Sequence, residues 1–122
     1  MSGLSVLAVD DSRTMRDLLR IALDEAGFDP VLAEDGVDAM ARIHEVRPRV
    51  VVTDINMPNM DGFELVEAIR REGPDTDVPI LVLTTESAED QRERARRAGA
   101  TGWIVKPFHA EKLAKAIRMV AA

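Results

Sequence analysis

Five short apolar runs, rich in valine, isoleucine and leucine, are spaced along the chain. They lie at residues 5–9, 30–33, 50–53, 80–83 and 102–105. Such runs are typical of β-strands, because branched side chains pack well on a pleated surface. Their nearly continuous apolarity favours strands that are buried on both faces of a sheet. The pattern therefore predicts five buried strands.

Segments with a helical period separate these runs. In three of them apolar residues recur at steps of three and four: Met15, Leu18, Leu19, Ala22 and Ala26; Leu65, Val66 and Ile69; and Leu113, Ile117, Val120 and Ala121. This period places the apolar residues on one side of an amphipathic helix that can pack on a sheet. Gly27, Gly73 and Gly99 follow helical segments, and we expect each of them to end a helix in the left-handed conformation.

Residues 35–46 and 88–98 are also predicted to be helices. The second segment has only Ala88, Ala95 and Ala98 as apolar residues, so only a thin edge of it can be buried. Its acidic residues come first and arginines come last, an order that suits the dipole of a helix. Five strands that alternate with five helices predict an α/β domain with a parallel sheet. No linker or repeat divides the chain, so we expect one domain over residues 1–122.

Composition narrows the class of protein. The 122 residues include no cysteine, which excludes disulfide frameworks and thiol catalysis. A reducing cytoplasm is the natural location of such a chain. The apolar run at residues 4–9 is too short for a signal peptide or a membrane span. A formal net charge of -6 and only four aromatic residues argue against nucleic-acid binding.

The charge is unevenly distributed. Residues 1–87 hold 18 acidic and 8 basic residues, whereas residues 88–122 hold 4 acidic and 8 basic residues. The two parts therefore have net charges of -10 and +4. A candidate docking face for a partner protein comprises residues 88–98, 102–105 and 111–121. A solvated helical surface would explain the same charges.

Polar side chains stand at the carboxyl ends of four predicted strands, where ligands bind in parallel α/β sheets. They are Asp10 and Asp11, Asp54, Thr84 and Thr85, and Lys106 with Pro107. If the first and third strands are neighbours, three carboxylates meet in one crevice. Two charges about 4 Å apart repel by roughly 4 kcal/mol at an effective dielectric constant near 20. A hard divalent cation such as Mg²⁺ would relieve that repulsion.

Each acidic residue taken singly has a simpler explanation, because acids at strand ends are often solvated loop residues or helix caps. Asp11 or Ser12 could cap the first helix. The combination is more specific, since carboxylates, a hard metal, a hydroxyl group and a lysine suit phosphoryl transfer with a carboxylate as nucleophile. The sequence has no glycine-rich phosphate loop. We therefore expect the phosphoryl group to be carried by the protein and not by a bound nucleotide.

Four segments together resemble a known family. They are Asp10 with Asp11, Thr-Asp-Ile-Asn-Met-Pro-Asn-Met-Asp-Gly at residues 53–62, Leu-Thr-Thr at residues 83–85 and Lys-Pro-Phe at residues 106–108. These segments closely resemble the receiver domain of two-component response regulators, above all its single-domain chemotaxis members. The resemblance covers essentially the whole chain. It implies a flavodoxin-like, doubly wound (βα)5 fold whose five-stranded parallel sheet has the strand order 2-1-3-4-5.

The resemblance also implies roles for the strand-end residues. Asp54 would be the phosphoacceptor, taking the group from a phosphohistidine on a sensor histidine kinase of the CheA type. Mg²⁺ would be held by Asp11, Asp54 and the backbone carbonyl of Asn56, with Asp10 assisting, partly through water. Thr84 would donate a hydrogen bond to the phosphoryl group, and Lys106 would pair with it.

Further positions bear on switching and lifetime. Phosphorylation adds about -1.5 to -2 charges, which would draw Thr84 inward, and in the family an aromatic residue of the fifth strand then turns into the vacated space. Trp103 holds that position here, where tyrosine or phenylalanine is more usual, and a packed core residue is the alternative interpretation.

Two further features follow from the resemblance. Asn56 and Glu86 match positions that tune dephosphorylation. The bond before the proline that matches Pro107 is cis in the family.

We therefore expect a single-domain response regulator, and no enzyme with a separate substrate, whose phosphorylated form binds a partner such as a flagellar switch protein in chemotaxis. A phosphorelay shuttle or phosphate sink that passes the group to a histidine phosphotransfer protein is the alternative within signalling. A Mg²⁺-dependent phosphohydrolase of the haloacid dehalogenase type is more remote, since Asn56 stands where those enzymes carry a second aspartate. In an FMN-binding flavodoxin-like protein, Asp10 and Asp11 would repel the cofactor phosphate.

Overall fold

The computed structural model describes residues 3–85 and 89–122, and strands alternate with helices throughout them. In chain order the elements are β1 (Ser5–Val9), α1 (Arg13–Glu25), β2 (Asp29–Ala33), α2 (Gly36–Val46), β3 (Val50–Asp54), α3 (Gly62–Glu72), β4 (Ile80–Thr84), α4 (Glu89–Ala98), β5 (Gly102–Val105) and α5 (Ala110–Ala121). The predictions that concern Glu86 and Ala88 lie outside the described residues. No helix of the described part is long and apolar enough to cross a membrane.

The five strands form one parallel sheet in the order β2-β1-β3-β4-β5. This topology confirms the predicted doubly wound α/β fold and its strand order. The strand that follows β1 in the chain pairs on one side of it, and β3 pairs on the other, so the order reverses at the β1/β3 boundary. Ligands of open α/β sheets bind at the carboxyl ends of the strands beside such a boundary.

The sheet separates two hydrophobic cores. Leu7 and Val9 of β1 pack on the side of α2 and α3, whereas Val6 and Ala8 pack on the side of α1 and α5. Every residue of β3 and β4 is buried. The prediction of two buried faces therefore holds for the three central strands. It is wrong for β2 and β5, which are partly exposed because each lies at an edge of the sheet.

The first three helices each begin with a side chain that caps the helix N-terminus. The Ser12 hydroxyl accepts a hydrogen bond from the Met15 amide and caps α1. The side chains of Asp35 and Asp61 cap α2 and α3 in the same way, and Glu64 completes a capping box with Asp61. Each cap satisfies an amide that the first turn of a helix leaves without a partner.

The ends of the helices agree with the glycine pattern at two of three positions. Gly27 and Gly99 are left-handed, with φ angles of 87° and 112°. Gly73 is not, because its φ of -70° and ψ of 162° describe extended backbone. Pro74 follows it, and the ring of a proline favours the extended conformation in the preceding residue.

The buried side of α1 also differs from the prediction at one position. Leu19, Ala22 and Leu23 are its buried residues, whereas Leu18 is 50% exposed. Consecutive residues of a helix are about 100° apart around its axis, so Leu18 lies beside the buried stripe. Together with Ile21, which is 49% exposed, it widens the apolar surface of α1 beyond what the sheet covers.

Candidate functional site

Three carboxylates meet where β1 and β3 end. Asp10 and Asp11 follow β1 directly, and Asp54 is the last residue of β3 instead of the first residue after it. Val9 lies beside Thr53 in the sheet, so Asp10 and Asp54, the next residues along the two chains, lie at the same level. One carboxylate oxygen of each of the three aspartates lies within 4.8 Å of the others.

Lys106 supplies a positive charge to this cluster. Its ammonium nitrogen lies 3.1 Å from Asp54 Oδ1 and 3.3 Å from Asp10 Oδ2. The side chains of Lys106, Asp54 and Asp10 are 13%, 11% and 1% exposed, respectively, while Asp11 is exposed. One ammonium group is therefore shared by two buried carboxylates. When all three aspartates are ionised, their charge exceeds that of this single ammonium group by two.

Burial affects the ionisation of Asp54 in particular. Loss of solvent raises the pKa of its carboxyl group above the ordinary value of 3.8. The hydrogen bond from Lys106 acts in the opposite direction, and the charge of Asp10 raises the pKa further. The ionised form of Asp54 is thus held at a cost in free energy that an additional cation would reduce.

Backbone amides hold the carboxylates of Asp10 and Asp54 in place, and an arginine side chain holds the backbone of Asp10. The Ser12 amide donates to Asp10 Oδ1 at 2.9 Å, and the Ile55 amide donates to Asp54 Oδ1 at 2.8 Å. The Arg16 guanidinium donates to the backbone carbonyl of Asp10 at 2.7 Å. Arg16 was not among the predicted site residues. The available signal was its position one helical turn after the acidic pair, from which a long side chain can reach back to the strand end.

The loop at residues 55–61 connects Asp54 to α3 and contains the exposed Asn56. The Gly62 amide donates to the Ile55 carbonyl at 2.7 Å, and a Cβ atom on Gly62 would collide with the Asp54 carbonyl oxygen. Only glycine therefore permits this close approach of α3 to the end of β3. The metal-binding role of the Asn56 carbonyl stays a prediction.

The same loop is fixed to the start of α2. Asn59 has a left-handed φ of 69°, and its side-chain amide donates to Asp35 Oδ2 at 3.0 Å. The amide of Asp38 and the side chain of Asn59 hold the pKa of Asp35 below its ordinary value. This contact links the loop beside the acidic cluster to the N-terminus of a neighbouring helix.

The ends of β4 and β5 join the same edge of the sheet. Thr84 is the last residue of β4 and is buried. The Lys106 amide donates to the Thr84 carbonyl at 2.6 Å, and this bond continues the pairing of the two strands to the lysine that contacts Asp54. The Lys106–Pro107 peptide bond is cis, as the resemblance implied. Thr85 is exposed.

Trp103 lies apart from the acidic cluster on the α4 side of the sheet. In the β4/β5 ladder Val82 pairs with Trp103, and Thr84 pairs with Val105. Side chains two residues apart in a strand point to the same face, and so do paired residues of neighbouring parallel strands. Thr84 therefore points to the same face as Val82 and its partner Trp103. The ring of Trp103 lies against the guanidinium groups of Arg92 and Arg96. The predicted roles of Thr84 and Trp103 in switching stay predictions.

Comparison with known proteins bears on this arrangement. The chain is 41% identical to the chemotaxis protein CheY4 of Vibrio cholerae, with a TM-score of 0.92 over 98% of this chain and 99% of the other. It is 25% identical to the receiver domain of the Pseudomonas aeruginosa sensor histidine kinase PA1611, with a TM-score of 0.90 over 98% of both chains. The PA1611 structure has a magnesium ion coordinated in its active site cleft.

A curated relative, the response regulator MprA, is about twice as long as the part of it that this chain matches. The chain is 40% identical over 115 residues to the response regulator MprA of Mycobacterium leprae, a match that covers 94% of this chain and 50% of MprA. The chain thus spans about half the length of the curated relatives it matches.

The chain also matches a protein-family model over most of its length. The sequence matches the response regulator receiver domain over residues 6–118, a range that includes every residue of the acidic cluster together with Thr84, Trp103 and Lys106. Receiver domains are the phosphoacceptor domains of two-component signalling, and they interact with histidine kinases and downstream effectors. By its sheet order, its strand-end aspartates and this match, the chain belongs to the response regulator receiver domain family.

Proposed function

We propose that Asp54 accepts a phosphoryl group from a sensor histidine kinase and that the modified domain changes its affinity for a partner protein. The observation that supports this most directly is the contact of Asp54 Oδ1 with Lys106 at 3.1 Å, inside a cluster of three carboxylates. A carboxylate nucleophile needs neighbouring cations because the incoming phosphoryl oxygens add negative charge.

In the transfer step, a carboxylate oxygen of Asp54 attacks phosphorus, and the bond between phosphorus and the histidine nitrogen breaks. The electron pair of that bond returns to the imidazole, and an acyl phosphate forms on Asp54. Lys106 already contacts an Asp54 oxygen, so its ammonium group can pair with a phosphoryl oxygen with little movement. The hydroxyl of Thr84 would donate a hydrogen bond to the phosphoryl group.

Mg²⁺ fits the donor set of the acidic cluster. Its three aspartates offer only oxygen ligands, their charge exceeds that of Lys106 by two, and the cluster is open to water on the side of the exposed Asp11. The Mg²⁺ in the cleft of PA1611 supports the same assignment. We assign Asp11, Asp54 and the Asn56 carbonyl as ligands, with Asp10 assisting partly through water. When bound, Mg²⁺ neutralises charge on the transferring phosphoryl oxygens.

The output is proposed to pass through the face formed by α4, β5 and α5, where the net charge is positive. Movement of Thr84 toward the phosphoryl group would be followed by movement of Trp103 on the same face of the sheet. Asn56 and Glu86 are proposed to set the lifetime of the acyl phosphate.

A role in chemotaxis is the more specific proposal, with a CheA-like kinase as donor and a flagellar switch protein as target. It is supported by the likeness to the chemotaxis protein CheY4, with which this chain shares 41% sequence identity and a TM-score of 0.92. Binding of the phosphorylated protein to a flagellar switch component supports motor control. Transfer of the group to a histidine phosphotransfer domain without such binding supports a shuttle or phosphate sink.

The phosphoacceptor assignment is tested with acetyl phosphate and Mg²⁺ as the donor system. We expect mass spectrometry to detect one added phosphoryl group that is labile to base, and Asp54→Asn to abolish it. Asp17→Asn is the matched control, since Asp17 lies on the exposed surface of α1 and its loss removes the same charge. Undiminished labelling of the Asp54→Asn protein would contradict the assignment.

A further inference from the structure

Helix α4 contacts the rest of the domain through three arginine side chains that lie over aromatic rings, as well as through Ala95 and Ala98. Ala95 is its only buried residue. The Arg94 guanidinium carbon lies 4.3 Å from the centre of the Phe63 ring in α3. Those of Arg92 and Arg96 lie 5.2 Å and 5.7 Å from the centre of the Trp103 ring in β5. All three distances fall within the range of about 6 Å in which a cation is attracted to an aromatic ring.

Trp103 therefore has two cations of one helix against its ring. Arg92 and Arg96 are four residues apart, which places them on the same side of α4. Arg96 is oriented by a hydrogen bond from its guanidinium to Glu93, at 2.8 Å. The Nε atom of Arg92 is buried without a hydrogen-bond partner in the described part of the chain. The ring of Trp103 is thus an electrostatic contact that offsets the desolvation of this guanidinium.

We propose that Arg92, Arg96 and Trp103 form a latch, here called the arginine latch, which holds Trp103 against α4 and opens when the domain is phosphorylated. The proposal deepens the proposed function and rests on it for the phosphorylation step. Thr84 and Trp103 point to the same face of the sheet, and in this proposal the ring leaves both guanidinium groups when it moves toward Thr84. The closed latch consequently opposes the switch in the unmodified protein.

The arginine latch gives a physical reason for tryptophan at position 103. Among aromatic side chains, the indole ring attracts cations most strongly. When the latch opens, α4 loses two contacts to β5, and Arg92, which is only partly exposed in the closed latch, becomes available to acidic groups of a partner. A single rearrangement would therefore change both the position of α4 and the charge it presents.

The test removes the two cations while keeping long side chains with good helix propensity. In the variant Arg92→Gln/Arg96→Gln we expect the emission of Trp103 to shift and its quenching by acrylamide to change in the unmodified protein. Arg71→Gln/Arg97→Gln is the control, because it removes the same charge from exposed positions. Arg92→Lys/Arg96→Lys retains both cations and should retain most of the wild-type signal.

Phosphorylation by acetyl phosphate provides the second readout. Exposed cation–π contacts each correspond to about a two- to five-fold change in an equilibrium, so we expect the latch variant to be labelled several-fold faster than the wild type and the control. Labelling is measured by mass spectrometry, and helix content by circular dichroism verifies that the variant is folded.

The outcomes separate the two proposals. A wild-type protein that is not labelled at Asp54 overturns the proposed function, whereas the fluorescence of the unmodified variants still tests the arginine latch. If Asp54 is labelled but the latch variant matches the control in Trp103 fluorescence and in labelling rate, the arginine latch is wrong and the phosphoacceptor assignment stands.

Discussion

At the scale of single residues, burial determines how Asp54 ionises. Loss of solvent raises the pKa of Asp54, and the hydrogen bond from Lys106, which also contacts Asp10, only partly opposes this rise. A group whose pKa is raised by folding binds more protons in the folded state. The contribution of Asp54 to stability is therefore favourable at low pH and is lost as pH rises from the unfolded-state pKa, near 3.8, through the raised one.

This ionisation predicts that Asp54→Asn is more stable than the wild type at pH 7 without divalent cations. We expect a gain of about 1 kcal/mol in the free energy of unfolding, the ordinary size of a single-residue effect, because Lys106 keeps its contact with Asp10. Urea denaturation in EDTA at pH 7 and pH 4 measures it, and the gain should shrink at the lower pH. Asp17→Asn serves as the control for the lost charge, and a gain that grows toward pH 4 would refute the interpretation.

At the scale of elements, Arg70 joins α3 to two neighbouring segments. Its Nε donates to the Gly99 carbonyl at 2.9 Å, and its NH1 donates to the carbonyls of Thr76 and Val78 at 2.8 Å and 2.7 Å. Burial lowers the pKa of this guanidinium, although Asp77 and Asp75 act in the opposite direction. Arg70 thus fixes the turn after α4 and the segment before β4 to one helix.

We predict that Arg70→Ala lowers the free energy of unfolding by about 2–3 kcal/mol, because three carbonyl groups lose a charged donor. Arg70→Lys should recover only part of this loss, since an ammonium group cannot reproduce the planar fork of a guanidinium. The neighbouring Arg71→Ala is the matched control, because the Arg71 side chain is 70% exposed. Equal urea midpoints for Arg70→Ala and Arg71→Ala would show that the three hydrogen bonds contribute little.

At the scale of the whole molecule, the net charge of -6 conceals an acidic crevice and a basic C-terminal part. The crevice lies at the β1/β3 boundary, where three aspartates approach one another across the sheet. A cation that binds there stabilises the folded chain alone, because the aspartates are separated in the unfolded chain.

We therefore expect Mg²⁺ to raise the melting temperature of the wild type by several degrees. Mass action gives about 2.7 kcal/mol when the free ion is at 100 times its dissociation constant. The variant Asp11→Asn/Asp54→Asn should lose this response, and sodium chloride at matched ionic strength is the control for screening. An equal Mg²⁺ response in the double variant would place the stabilising ion elsewhere.

Much of the molecule was predictable from short segments. The alternation of apolar runs with helical periods predicted all five strands and five helices. This was possible because residues that are buried in a strand or on one side of a helix are apolar at regular spacings along the sequence. The convergence of Asp10, Asp11, Asp54 and Lys106 was predictable because the carboxyl ends of parallel strands lie at one edge of the sheet. The strand order came from the family resemblance, since periodicity carries no information about which strands pair.

Only the tertiary structure decided how these segments act on one another. The β1/β3 pairing brings Asp54 close to Asp10. Lys106, which follows the edge strand β5, contacts both carboxylates. The polar sequence of α4 does not show that its arginines stack on Phe63 and Trp103, and the three bonds of Arg70 join segments up to 29 positions apart. The elements and the residue types at the strand ends can be read from the chain alone, because they depend on neighbours along it. The shared lysine, the Arg70 contacts and the arginine latch depend on neighbours in space, which only folding brings together.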